Sequence, residues 1–350
     1  MAFLEIPNVS IKGMAATLPA NRKDNLTDPL VNDAEKILKN TGIQYRHLAD
    51  EGMTASDLCE DAAKRLLADL KWNAEEVDCL IFVRQMPDYI LPASATILQD
   101  KLGLSQNAYA LDVAMGCSGY VFGLSNIAAL MQSGHFKKGL LLVGDTISRT
   151  CSVNDKSTYP LFGDAGTATA LEYKEGAPTM KFHFGTDGSG KDAIIIPDGG
   201  SRNPFSEDSA KEEVIDEGIS RSKANLVLEG MDVFSFGISK APQSIKALLE
   251  HFEIDQETVD NFAFHQANLF MNEKIRKKLK IDPEKVPYSL PKYGNTSCAT
   301  IPLTLISERE EALEKGSQKN VGCGFGVGLS WGSVYFETEN LTISEIGILK

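Results

Sequence analysis

Cys117 lies in the run Asp112-Val-Ala-Met-Gly-Cys117-Ser-Gly-Tyr120, between a short apolar stretch from Tyr109 to Ala114 and a longer Gly- and Ala-bearing one from Tyr120 to Met131. The first reads as a buried strand and the second as a buried helix. The thiol then sits at a helix N-terminus, where free backbone N–H groups and the helix dipole favour thiolate over thiol. That makes Cys117 a candidate nucleophile; the alternative is a small hydrophobe filling the core. His265, in Phe264-His265-Gln-Ala-Asn268, ends an apolar run, and ends of strands in α/β chains are where sites are built. Asn295, in Tyr293-Gly-Asn295-Thr-Ser297, precedes a second apolar helix pattern. Taken singly, a histidine at a strand end is more often a structural residue than a catalytic one, and Asn295 is by default a turn and helix N-cap residue.

An internal duplication brings the three together. Lys64-Arg-Leu-Leu-Ala-Asp-Leu70 and Glu75-Glu-Val-Asp-Cys-Leu-Ile-Phe82 match Lys246-Ala-Leu-Leu-Glu-His-Phe252 and Glu257-Thr-Val-Asp-Asn-Phe-Ala-Phe264. Every pair is 182 residues apart, as 64 is from 246 and 82 from 264, and the same offset pairs Lys137–Gly144 with Lys319–Gly326. Each half predicts a helix, a strand, a helix opening at a special loop, a strand and a closing strand. In the first half these span 56–70, 78–83, 117–132, 139–144 and 167–173; in the second, 231–252, 261–265, 297–313, 320–325 and 329–338. Strands rich in Val, Leu, Ile and Phe that alternate with helices predict α/β sheets covered on both faces. Under the offset Cys117 falls on Ala299, just past Asn295, and Val83 falls on His265. A pseudo-twofold axis would face the two helix starts into one pocket.

Composition narrows the class. The 350 residues predict two domains, here 1–177 and 178–350, and 43% hydrophobic content suffices for a large core. A net charge of −13 disfavours general nucleic-acid binding. No stretch has the apolar length of a membrane span, and Met1-Ala-Phe-Leu-Glu5-Ile-Pro7 lacks the basic start of a signal peptide. Six scattered cysteines without a C-x-x-C predict reduced thiols in a cytoplasm, with neither a disulfide framework nor a metal site.

The ordered motifs around Cys117, His265 and Asn295, with Gly324-Phe-Gly-Val-Gly328-Leu-Ser-Trp-Gly332, Thr41-Gly-Ile43 and Phe162-Gly-Asp-Ala-Gly166, resemble the β-ketoacyl-[acyl carrier protein] synthase III family over nearly the whole chain. The resemblance implies the thiolase fold, a duplicated αβαβα layered architecture that agrees with the repeat, and a homodimer. It implies that Cys117 takes an acyl group from a thioester primer, and that malonyl-acyl carrier protein then loses CO₂ and attacks the acyl-cysteine. His265 and Asn295 would hydrogen-bond the enolate oxygen, and the N–H groups of Cys117 and Gly328 would form the oxyanion hole. The implied substrates are acyl-CoA or acyl-carrier protein and malonyl-carrier protein, with no resident cofactor. The basic run Lys274-Ile-Arg-Lys-Lys-Leu-Lys280 matches the family's carrier-protein docking helix, with Arg276, Lys277 and Lys278 as candidates.

The chain also departs from the family. Lys36, Asn40 and Lys156 stand where an aromatic and two arginines grip the adenine of coenzyme A, so priming from another acyl-CoA or from acyl-carrier protein becomes plausible. Of the candidate pocket residues, Leu91 replaces the Phe that limits the acyl pocket across the dimer interface and Met115 replaces Ala; Val327 replaces a glycine; Phe270 and Ser235 replace basic residues of the docking surface. The segment 187–224 reads either as a solvated loop or as a lid. Three rivals remain: a same-fold acyltransferase passing the acyl group to an alcohol or amine, a non-catalytic partner subunit, and a papain-like cysteine peptidase. The peptidase fails on context, since neither Trp nor Tyr follows Cys117 directly.

Overall fold

The computed structural model describes residues 2–350. The first half runs β1 (Ala2–Ile6), β2 (Val9–Pro19), β3 (Arg22–Asp24), α1 (Ala34–Thr41), β4 (Tyr45–His47), α2 (Ala55–Leu70), β5 (Cys79–Arg84), α3 (Ser94–Lys101), β6 (Tyr109–Ala114), α4 (Gly119–Met131), β7 (Lys138–Asp145) and β8 (Ala165–Tyr173). The second runs β9 (Met180–Thr186), β10 (Ile194–Ile195), β11 (Glu213–Asp216), β12 (Ile219–Arg221), β13 (Val227–Leu228), α5 (Gly230–His251), β14 (Asn261–Phe264), α6 (Leu269–Leu279), α7 (Leu290–Tyr293), α8 (Thr300–Glu314), β15 (Ser317–Gly326), β16 (Ser330–Glu339), β17 (Thr342–Ile343) and β18 (Gly347–Leu349).

The repeat is visible in the sheets. One has the order β17-β2-β8-β7-β5-β6, with β18 also on β2; the other is β1-β9-β16-β15-β14. In both, a parallel pair (β5 with β7, β14 with β15) continues into an antiparallel strand (β8, β16). Helices α4 and α8 pack between the sheets, α2 covers the outside of the first, and α5 and α6 cover the second. The result is the layered αβαβα thiolase fold. Strands β5 and β7 are buried on both faces, hence their unbroken apolar runs. Helix α4 lies so close to β5 that a Cβ on Gly123 would come within 2.5 Å of Val83 Cγ2, which is why an otherwise apolar helix carries glycine.

Two expectations need correcting. Tyr109–Ala114 is not a buried strand. It forms β6, the edge of its sheet, with Tyr109 and Leu111 exposed; apolar composition cannot tell a core strand from an unpartnered edge. The halves 1–177 and 178–350 do not separate cleanly either. Strand β1 belongs to the second sheet through β9, and β17 and β18 belong to the first through β2. The chain ends thus tie the two halves together.

Candidate active site

Cys117 occupies the turn between β6 and α4 and is 7% exposed. Strand β15 runs directly past it: a Cβ on Gly326 would lie 2.7 Å from Cys117 Cβ and 2.8 Å from Sγ. This approach presents the Val327 N–H to the sulfur. Burial pushes the thiol up to about 12, and the nearby Asp145 charge acts in the same direction, against smaller opposing effects of the Val327 and Cys117 N–H groups. Burial thus opposes the stabilisation expected from the helix start. The oxyanion assignment moves by one residue. Val327, not Gly328, reaches Cys117, because β15 ends at Gly326 and Gly328 turns away with φ 128°, the face a Cβ would occupy directed at Ser330.

His265 follows β14 directly, and its backbone N–H donates to Cys323 O at 2.8 Å. Its Nδ1 lies 2.8 Å from Thr300 Oγ1, which is itself 3.0 Å from Ser297 O. One hydroxyl proton can serve only one of these two acceptors. Given to Ser297 O, it leaves Thr300 Oγ1 to accept an Nδ1–H; given to Nδ1, it leaves the ring proton on Nε2, as a donor into the cavity. Burial holds the imidazole neutral, down to about 3, and Phe325 meets its ring edge-on with centroids 5.5 Å apart. Asn295 sits in the loop after α7. Its Oδ1 accepts the Ser297 N–H at 2.9 Å, which leaves the Nδ2 protons for a ligand.

Cys117, His265 and Asn295 line a single cavity of about 690 Å³, the size range of small-molecule clefts. Ile147, Leu161, Phe162, Ile194, Leu226 and Val233 supply an apolar wall. At the solvent side stand Asn40 and the exposed Met231 and Phe270. The segment 187–224 is thus partly wall, through Ile194, with Leu226 just beyond it. Its remainder includes the hairpin β11–β12, held by Lys156 N–H to Gly218 O at 3.0 Å and by the buried Arg221–Asp155 pair at 3.1 Å.

Two sequence candidates are not where they were expected. Met115 packs into the core beside Gly119 and does not line this cavity; Leu91, expected across a dimer interface, is 84% exposed on the loop after β5. Arg276 is not free for docking: it forks onto Glu273 with two 2.8 Å bonds and also caps Ile281 O. Lys277 and Lys278 remain exposed, as does Lys274, whose Nζ is 5.3 Å from the Phe270 ring centroid. Sequence reasoning missed Gln85, Ser297, Thr300 and the buried Asp145. Of these only Asp145, closing the apolar run of β7, carried a signal: a charge at a strand end.

Comparison with known proteins agrees with this geometry. The 3-oxoacyl-[acyl-carrier-protein] synthase III family model matches residues 111–188, and the model of that family's C-terminal region matches 249–338. The β-ketoacyl-[acyl-carrier-protein] synthase III of Clostridioides difficile is 33% identical over 92% of this chain and 96% of its own. That of Streptococcus sanguinis is 34% identical over 89% and 93%. A crystal structure of 3-oxoacyl-(acyl-carrier protein) synthase from Burkholderia xenovorans superimposes with a TM-score of 0.92 at 37% identity, covering 99% of both chains.

Proposed function

The chain belongs to the β-ketoacyl-[acyl-carrier-protein] synthase III family and is a condensing acyltransferase of that type; from this premise we propose that it runs two half-reactions on Cys117. In the first, the Cys117 sulfur attacks the carbonyl of an acyl thioester. The tetrahedral oxyanion is met by the N–H groups of Cys117 and Val327, and the departing thiol takes up the proton that Cys117 gives up. In the second, malonyl-carrier protein loses CO₂, and the enolate oxygen accepts hydrogen bonds from His265 Nε2 and Asn295 Nδ2. The enolate carbon then attacks the acyl carbonyl, and the Cys117 thiolate leaves and is reprotonated. The observation that carries this reading is that one cavity joins the thiol to two neutral donors, one kept neutral by burial and the other oriented through its Oδ1.

The apolar wall suits a hydrocarbon primer, delivered on a carrier protein or on coenzyme A. Lys277 and Lys278, with Lys274, give an acidic carrier protein a basic face near the cavity. The chemistry draws on thioesters alone and calls for no resident cofactor. No helix among the described residues is long and apolar enough to cross a membrane, and the reading places the protein in the cytoplasm. It also makes the protein a homodimer: β6 is paired only through β5, and Tyr89, Ile90 and Leu91 are exposed on the loop after β5.

The test follows intact mass after incubation with acyl-CoAs and acyl-carrier proteins, with and without malonyl-carrier protein. Cys117 should become acylated, Cys117→Ala should not, and malonyl-carrier protein should discharge the acyl-enzyme with release of CO₂. His265→Ala and Asn295→Ala should each slow discharge by about a hundredfold or more while sparing acylation. Discharge by an amine or alcohol, but never by malonyl-carrier protein, would refute the condensing reading.

A further inference from the structure

Ser297 is buried and left-handed, with φ 54°. A residue with a Cβ adopts that conformation only where its surroundings hold it there. The hold comes from the other half of the chain. Ser297 Oγ donates to Asp145 Oδ2 at 2.8 Å, and Gln85 Nε2 lies 2.7 Å from the same oxygen and 2.9 Å from Ser297 Oγ. In this pose Ser297 orients one donor of the site: its N–H fixes Asn295 Oδ1 at 2.9 Å.

Asp145 is fully buried, and among the described residues it pairs with no lysine or arginine. Such a carboxylate is costly to keep in a protein interior. Its other oxygen, Oδ1, faces the Met86 N–H at 3.4 Å. An apolar residue there would cost less, and the one strained residue that Asp145 holds is the one that orients Asn295.

We propose that Asp145 is a positioning residue for condensation: by clamping Ser297 it fixes the direction of Asn295 without touching the acyl group. The inference rests on the condensing reading above. It separates the half-reactions, because acylation uses Cys117 and Val327, whereas decarboxylation uses the Asn295 donor that Ser297 orients.

The test compares Asp145→Asn, Ser297→Ala and Ser297→Gly in two assays: acylation of Cys117 by intact mass, and CO₂ release from malonyl-carrier protein. Asp145→Asn and Ser297→Ala should acylate within about threefold of the unmodified enzyme, while kcat for CO₂ release falls about thirtyfold or more with KM little changed. Ser297→Gly loses the anchoring hydroxyl but takes the left-handed conformation without strain. It should fold normally and recover about tenfold of the loss seen in Ser297→Ala. Parallel loss of both half-reactions, full retention of CO₂ release, or no advantage of glycine over alanine would overturn the proposal. If the unmodified protein releases no CO₂, the condensing reading falls and this inference with it. Release by the unmodified protein that the variants match would overturn the inference alone.

Discussion

At the scale of the residue, burial works against the Cys117 thiolate, so under the proposed function its reactivity is owed to the N–H groups that meet the oxyanion. Burial pushes Cys117 up to about 12, so thiolate is a minor species at neutral pH and its fraction rises tenfold per pH unit. Alkylation of Cys117 by iodoacetamide, followed by peptide mass, should therefore rise about tenfold per unit from pH 7 to 10 without a plateau. A plateau near pH 8 would contradict the buried-thiol account. Thr300 yields a second expectation. Thr300→Val keeps the shape but removes the hydroxyl beside His265 Nδ1. The ring then has no partner to hold the Nε2–H tautomer, and discharge of the acyl-enzyme should slow by about ten- to a hundredfold while acylation stays unchanged. Equal loss of both steps would show that the threonine only packs.

At the scale of the element, the site is the meeting point of the turn before α4, the end of β14, the loop after α7 and the end of β15. Gly326 shows how tight that meeting is. Gly326→Ala would place a methyl 2.8 Å from Cys117 Sγ. Acylation should then drop at least about a hundredfold, with a stability loss of roughly 1–3 kcal/mol from overpacking. Gly316→Ala, where a Cβ meets nothing within 4 Å, is the control and should behave as the unmodified protein in both assays. Cys117, His265 and Asn295 were legible because each is a chemically distinctive side chain in an ordered motif, and because the duplication puts the elements that carry them at matching places in the two halves. Val327 was not, because a backbone N–H is offered whatever the side chain, and only the path of β15 decides which N–H reaches the sulfur. The Asp145–Ser297 clamp joins residues 152 apart in sequence, and neither neighbourhood alone suggests the other. Strand β6 was misread because an apolar edge awaiting a partner has the composition of a core strand. Leu111→Glu on that edge should weaken self-association by tenfold or more (about 1.4 kcal/mol) in sedimentation equilibrium. An unmodified protein that sediments as a monomer at micromolar concentration would remove the dimer from the reading.

At the scale of the whole molecule, the site costs the fold its tolerance of acid. Burial lowers His47, His183 and His265, the last to about 3, whereas in the unfolded chain a histidine titrates near 6.5. Below that pH the unfolded state takes up protons that the native state refuses, so stability is fully present above about 6.5 and is lost as pH falls toward the folded values. Glu273, held down to about 2 chiefly by the Arg276 hydrogen bond, and Asp57, lowered chiefly by Lys101 and Thr54, act in the same direction below the ordinary carboxylate range. Asp164 and Asp145 oppose them. Burial raises both, Asp164 to about 6, so above roughly 4 the native state holds protons that the unfolded state has released. Two carboxyls against three histidines leave the net slope positive. Urea denaturation at pH 7, 6 and 5 should therefore give falling stability, with His265 alone contributing about 1 kcal/mol per pH unit below 6. His265→Asn removes that proton uptake from the unfolded state, so its stability should depend less on pH by about that amount while the variant fails to discharge the acyl-enzyme. The residue that must stay neutral to hold the enolate is thus the one that makes the folded protein acid-labile. A His265→Asn profile parallel to that of the unmodified protein would mean that the imidazole is not excluded from solvent and that its neutrality at the site has another cause.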